Sequence, residues 1–165
     1  MKCERLQECC ENEQHICTRK KQCIVYRDFR KQAICEEKKK RYNLINDKNY
    51  KIGLFHMDGG IICDELNIQK CDFLYVIYDE DCPTAVFVEL KGGDINHAVR
   101  QLKESIDMYG ASLNRRVCAR IICSSVPRLY NDPIVKNLKK ELTKRYKGGN
   151  LVIFERNKDE KYSDI

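Results

Sequence analysis

Two apolar runs separated by a short polar segment constrain the fold of this chain most. Residues 73–78 (FLYVIY) and 85–88 (AVFV) consist largely of the β-branched and aromatic residues that favour strands. The segment between them, 79–84 (DEDCPT), is polar and contains a proline, as is typical of a turn between two strands. The pattern predicts an antiparallel β-hairpin centred near residue 81.

Charged residues stand at the open end of this predicted hairpin. Asp72 precedes the first run, and Glu89 and Lys91 follow the second. An antiparallel register sets Asp72 opposite Glu89 and Lys91, and the two-residue period of a strand points Glu89 and Lys91 to the same face. Two carboxylates and an amine at one end of a sheet can bind a divalent cation and activate water. A surface ion cluster is the alternative interpretation.

A helix is predicted directly after this strand. Gly92 and Gly93 let the chain turn, and Asp94 is a good N-cap. Apolar residues then recur at helical spacing, at Ile95, Val99, Leu102, Ile106 and Tyr109.

Flanking segments complete an α/β pattern. Strands are predicted over 41–45 and 50–57 before the hairpin, and over 116–123 and 151–154 after the helix. A second helix, capped by Asp132 with a proline in its first turn, is predicted between the last two strands. Strands followed by alternating helix and strand indicate a mixed sheet with helices packed on it.

The arrangement resembles the PD-(D/E)xK nuclease superfamily, whose signature is an Asp opening one hairpin strand and a Glu-x-Lys on the next. The resemblance implies the restriction-endonuclease-like fold, a central mixed β-sheet flanked by helices. It implies that Asp72 and Glu89 bind Mg²⁺ or Mn²⁺ and that Lys91 positions or polarises the attacking water. It also implies that Gln101, on the following helix, approaches the site.

A further acidic ligand is common in this family, and its identity is left open by the sequence. Asp58, in the turn sequence HMDGG, ranks first. Glu36 and Glu37 are the alternatives if the stretch that contains them is helical. Their surroundings are polar and show no strand pattern.

Composition and charge suit a globular protein with a polyanionic partner. The chain has 165 residues, 42% of them hydrophobic, and a formal net charge of +6. Its apolar runs are far shorter than the roughly 20 residues of a membrane-spanning helix, and its first residues show no export signal. We therefore expect a cytoplasmic protein. The net charge mildly favours a polyanionic partner. Together with the nuclease resemblance, it implies a nucleic-acid partner, with DNA favoured over RNA.

Eleven cysteines have no Cys-x-x-Cys spacing, and six of them lie in the first 35 residues. An odd number without an export signal argues against a disulfide framework. An iron–sulfur cluster or zinc on the N-terminal cysteines is a secondary hypothesis. We predict a cysteine-rich, mainly helical segment over 1–40 packed on the core, a nuclease-like domain over 41–158 and a frayed tail over 159–165.

The function expected from this sequence is metal-dependent hydrolysis of phosphodiester bonds. The resemblance implies a role in restriction or phage defence, because proteins of that family often have such roles. Because no separate recognition domain is visible, specificity would come from nucleic-acid structure, a homodimer or a partner subunit. Two alternatives remain open. The chain can be a catalytically inactive nuclease-fold subunit that binds nucleic acid or acts as a scaffold, or a cysteine-based metal or redox protein.

Overall fold

A computed structural model describes residues 6–11, 23–62, 67–125 and 132–165. Cys3, Cys17 and Cys63 lie outside the described residues. In chain order the elements are α1 (Leu6–Glu11), β1 (Ile24–Asp28), β2 (Gln32–Glu37), β3 (Lys40–Ile45), β4 (Lys51–His56), β5 (Phe73–Tyr78), β6 (Thr84–Leu90), α2 (Ile95–Tyr109), β7 (Arg116–Cys123), α3 (Pro133–Arg145), β8 (Leu151–Glu155), β9 (Lys158–Lys161) and a 3₁₀ turn at Tyr162–Asp164.

A six-stranded mixed sheet forms the centre, in the order β1-β4-β5-β6-β7-β8. Its first four strands pair antiparallel, whereas β6, β7 and β8 run parallel. The connection from β6 through α2 to β7 is the helical crossover that two parallel strands require. The predicted α/β class with a mixed sheet is confirmed.

The predicted hairpin is formed by β5 and β6. Phe73 pairs with Val88 and Ile77 with Thr84, so the register continues to bring Asp72 opposite Glu89. Both strands are buried on both faces, because helices cover one side of the sheet and a second sheet covers the other. The hairpin is therefore the interior of the protein, and its charged end is held by both outer layers.

The two predicted helices begin as the sequence indicates. The Asp94 side chain accepts a hydrogen bond from the His97 N–H at 2.9 Å, and Asp132 caps α3 in the same way through the Ile134 N–H. The apolar residues of both helices pack on one face of the large sheet. Among the described residues, no helix combines the length and the apolar character needed to cross a membrane.

A three-stranded sheet, β2-β3-β9, covers the other face of the large sheet. The prediction of a mainly helical segment over 1–40 is wrong for residues 24–37, because this range contains strands β1 and β2. In β2 the buried side chains Ala33 and Cys35 alternate with more exposed ones, a two-residue period that fits a strand and not a helix. Of the first forty residues, only the short helix α1 is helical in the described part.

The frayed tail predicted for residues 159–165 is also wrong. Strand β9 pairs parallel to β3, with Glu160 beside Leu44. Tyr162, buried just beyond this strand, donates a hydrogen bond from its hydroxyl to Asp79 Oδ2 at 2.7 Å. Backbone pairing and this buried contact hold the chain end on the core.

The predicted strands over 41–45 and 50–57 exist but belong to different sheets, β3 to the small one and β4 to the large one. Asn46 holds the turn between them, because its amide group donates to the Tyr50 carbonyl and accepts from the Tyr50 N–H. The thiols of Cys35, Cys71, Cys118 and Cys123 are buried and form no disulfide.

Candidate active site

The ends of β5 and β6 are joined by the side chain of Asp72. Asp72 Oδ2 accepts a hydrogen bond from the backbone N–H of Leu90 at 2.6 Å, across the hairpin. This contact fixes the Asp72 carboxyl group beside the Glu89-Leu90-Lys91 segment. The predicted meeting of Asp72 with Glu89 and Lys91 at one end of the sheet agrees with the observed geometry.

Glu89 is the most deeply buried acid of the site. It is 1% exposed, and its Oε2 atom is buried without a hydrogen-bond partner in the described part of the chain. Its other oxygen, Oε1, lies 3.8 Å from Lys91 Nζ. A buried carboxylate oxygen without a donor is unfavourable unless a proton or a cation binds it.

Gln101 links Lys91 to the helix layer. Lys91 Nζ donates to Gln101 Oε1 at 2.9 Å, and Gln101 Nε2 donates to the Lys70 carbonyl at 2.8 Å. The carbonyl contact sets which end of the amide faces Lys91. The lysine ammonium is therefore held between Glu89 and Gln101, as the resemblance implied for Gln101.

One face of α2 also holds the segment that leads into Asp72. The Ser105 hydroxyl oxygen accepts the Cys71 N–H at 2.9 Å, and Glu104 Oε2 accepts the Gln69 N–H at 3.2 Å. Gln101, Glu104 and Ser105 lie three and four residues apart, which places them on one side of a helix. This polar stripe positions the backbone immediately before Asp72.

A third carboxyl group approaches from the small sheet. Glu37, at the end of β2, lies near enough to Asp72 for the two carboxyl groups to shift each other's pKa, and its Oε1 atom is 2.9 Å from Lys38 Nζ. Burial raises the pKa of Glu37, but its hydrogen bonds with Lys38 and Asp72 outweigh burial and leave that pKa below its ordinary value. From the sequence, Glu37 was an alternative acidic ligand only if its stretch were helical. In the structure Glu37 ends strand β2 and lies near Asp72.

Burial and the nearby negative charges raise the pKa values of Asp72 and Glu89. Burial raises the pKa of Asp72 to about 7; the Leu90 N–H counteracts this and the negative charge of Glu37 adds to it. Burial, together with the charge of Asp72, raises the pKa of Glu89 to about 9, although Lys91 counteracts it. Near neutral pH the metal-free site therefore retains protons that a bound cation would displace.

Asp58 lies at the margin of this cluster. Its Oδ1 atom is 2.9 Å from Lys70 Nζ, and its side chain is half exposed. Its negative charge contributes to the raised pKa of Asp72. Glu36 is exposed and stands across from Arg41 in the β2–β3 pair. Of these early acids, Glu37 has the larger influence on the pKa of Asp72.

The donor set suits a hard divalent cation. Within the described residues, no three His, Cys, Asp or Glu side chains are arranged to hold one metal ion. Mg²⁺ needs fewer protein ligands, since it is commonly bound by one or two carboxylates, waters and substrate phosphates. Asp72 and the unpartnered oxygen of Glu89 could supply such a pair of ligands.

Comparisons with protein-family models, with curated proteins and with solved structures find no match to this chain.

Two residues of the site were not identified from the sequence. Lys38 lies in a run of basic residues that is typical of a solvated surface, and Lys70 stands outside any strand or helix. The sequence signal for Lys38 is this basic run, one of several in the chain that could contact phosphates. The contact between Glu37 and Asp72 joins residues far apart in the chain, so no local pattern reveals it.

Proposed function

We propose that this chain is a Mg²⁺- or Mn²⁺-dependent nuclease of the PD-(D/E)xK type, with a restriction-endonuclease-like fold, that hydrolyses phosphodiester bonds, preferably in DNA. One observation carries the proposal. Glu89 is buried, has an oxygen without a donor, and lies beside both Asp72 and Lys91. This arrangement is unfavourable for folding and useful for binding a cation.

Asp72 and Glu89 would be the metal ligands. A bound metal of this kind lowers the pKa of a coordinated water and stabilises the negative charge that develops on the phosphate during attack. Asp72 is held for this role by the Leu90 N–H, and Glu89 by its position in β6. Both groups are fixed by the rigid hairpin rather than by a loop, which favours accurate placement of ligands.

Lys91 would hold the attacking water by donating a hydrogen bond to it and would supply positive charge beside the phosphate. An ammonium group has three donors. One is used on Gln101 Oε1 at 2.9 Å, and Glu89 Oε1 is 3.8 Å away. Gln101 therefore acts as a positioning residue, because it restricts the directions in which the remaining donors of Lys91 can point.

A structural ion cluster explains the same residues less well. Such clusters pair opposite charges, and exposed ones contribute little to stability. Here three carboxyl groups, those of Glu37, Asp72 and Glu89, lie close enough to shift one another's pKa, with Lys91 beside them. Burial of like charges is typical of sites that bind a cation or move a proton.

The test is cleavage of labelled single-stranded, duplex and branched DNA, and of RNA, by the wild type, Lys91→Ala and Lys136→Ala. Lys136 is an exposed lysine on α3 and serves as the matched control. We expect cutting with Mg²⁺ or Mn²⁺ that EDTA abolishes. Lys91→Ala should reduce the rate by about 10² to 10⁴-fold, whereas Lys136→Ala should leave it unchanged.

Equal cutting by Lys91→Ala and the wild type would contradict the proposal. Absence of cutting by every variant, with nucleic-acid binding intact, would favour the inactive nuclease-fold subunit instead. The substrate that is cut fastest identifies the preferred nucleic acid.

A further inference from the structure

The turn between β2 and β3 has an unusual backbone for its residues. Glu37 pairs with Lys40, so Lys38 and Lys39 are the two turn residues of a hairpin. Their φ angles are 46° and 67°, both in the left-handed region. Two-residue turns with positive φ at both positions are normally made of Asn, Asp and Gly, because other side chains are strained there.

This turn lies beside the carboxyl groups of the candidate active site. Lys38 Nζ is 2.9 Å from Glu37 Oε1, and the carboxyl group of Glu37 interacts with that of Asp72. The charge of Lys38 also interacts with Asp72 and Glu89. Because the Lys38 side chain is 85% exposed, it faces solvent while its ammonium group is held by Glu37.

The basic residues of the hairpin differ in how they are engaged. Arg41 is paired with Asp159 at 3.1 Å, so its charge is largely compensated within the small sheet. Lys39 is exposed, and no carboxylate in the described part of the chain lies within ion-pair distance of it. Solubility alone does not require lysine at strained turn positions, since an Asn-Gly turn flanked by lysines would serve as well. Strained backbone retained beside a site is a reason to test for function.

We propose that the Lys38–Lys39 turn binds the phosphodiester backbone of the substrate beside the bond that is cut, which rests on the proposed nuclease function. Glu37 holds Lys38 over the site before substrate arrives, and a phosphate then replaces Glu37 as the partner of Lys38. Lys39, at the outer turn position, contacts the neighbouring phosphate. The turn thus sets where the nucleic-acid strand lies relative to Asp72, Glu89 and Lys91.

The experiment measures binding of fluorescent duplex DNA, single-stranded DNA and RNA over a series of KCl concentrations. Lys91→Ala is the parent protein, so that bound substrate is not cut. The variants are K38N/K39G, which carries the residue pair that this turn favours, and K38Q/K39Q. The control is K136Q/K140Q, which removes two charges from the exposed face of α3.

We expect K38N/K39G to unfold at the same or a higher urea concentration than the parent, so that weaker binding cannot be attributed to misfolding. Both turn variants should bind about tenfold more weakly, and the logarithmic salt slope should fall by about 2, because two phosphate contacts are lost. The control should retain the parent affinity and slope. The arms with DNA and RNA show which backbone the turn binds.

Parent-like affinity and slope in both turn variants would overturn the inference, as would the absence of nucleic-acid binding by the parent. The outcomes for the two proposals are separable. If the wild type cuts and the turn variants bind as tightly as the parent, the nuclease proposal stands and the role of the turn fails. If nothing is cut but the turn variants lose binding, the role of the turn in binding stands and the nuclease proposal fails.

Discussion

Two buried charged clusters in this protein are organised in opposite ways. The first joins the two sheets: Arg120 on β7 is completely buried, and its Nε donates to Glu160 Oε2 on β9 at 2.7 Å. The same oxygen accepts the Tyr42 hydroxyl at 2.6 Å. The second is the candidate active site, where the carboxyl groups of Asp72 and Glu89 crowd together and one oxygen has no donor among the described residues.

The difference shows that burial of charge does not by itself indicate a functional site. In the sheet-joining cluster, opposite charges meet, and Arg120 Nη1 also donates to Asn150 Oδ1 at 2.6 Å and to the Ala119 carbonyl at 2.9 Å. Only its Nη2 remains without a partner in the described part of the chain. Like charges in the other cluster lower the stability of the metal-free fold. Pairing, rather than burial, separates a structural cluster from one suited to bind a cation.

The largest expected change in stability comes from a substitution in the sheet-joining cluster. Glu160→Ala leaves the Arg120 guanidinium buried without its carboxylate, so the free energy of unfolding should fall by about 3–5 kcal/mol. Urea unfolding measures this loss. Glu141→Ala is the matched control, because Glu141 pairs with Lys103 and Arg145 nearer the surface and should change stability by about 0–1 kcal/mol. A similar small effect for both variants would show that the buried ion pair does not hold the sheets together.

The second prediction concerns how the free energy of unfolding changes with pH. It should fall as pH rises, whereas a paired carboxylate makes it rise. Because the pKa values of Asp72 and Glu89 are raised to about 7 and about 9, the folded metal-free protein keeps protons that the unfolded chain releases. Their contribution to stability is present below the unfolded pKa of about 4 and is lost as pH rises. Between pH 7 and pH 8, Glu89 alone should lower the free energy of unfolding by about 1.4 kcal/mol per pH unit.

Urea unfolding in EDTA at several pH values tests this, with Glu89→Gln as the comparison. The glutamine has no proton to release, so the variant should lose the Glu89 part of the slope and be more stable than the wild type at pH 8, yet fail to cut nucleic acid. Parallel pH profiles for the two proteins would show that Glu89 titrates as in the unfolded chain.

The third prediction compares the loss of one hydrogen bond in each cluster. Ser105→Ala leaves the buried Cys71 N–H without an acceptor, and Tyr42→Phe removes a donor to Glu160. Each should lower stability by about 1–3 kcal/mol. Only Ser105→Ala should also slow cleavage, by about 10 to 100-fold, since Cys71 precedes Asp72, the proposed metal ligand. Equal cleavage by the two variants would mean that Ser105 does not position Asp72.

Local patterns in the sequence were sufficient to predict the central hairpin and the helices α2 and α3. The β5–β6 register follows from a short turn between two apolar runs, and the helix starts follow from Asp94 and Asp132 as caps. These features depend on neighbours within a few residues. Strands β2 and β9 of the small sheet were missed because their signals are weak: β9 is the polar sequence KDEK, with only Glu160 buried, and it becomes a strand by pairing with β3.

The sequence by itself determined the β5–β6 hairpin, and with it the meeting of Asp72, Glu89 and Lys91, because a two-residue period and a short turn leave little freedom in register. Tertiary structure decided what surrounds them. The packing of the small sheet brings Glu37 and the Lys38–Lys39 turn to Asp72, and the docking of α2 brings Gln101 to Lys91. Contacts between layers depend on how whole elements pack, and no spacing along the chain encodes that.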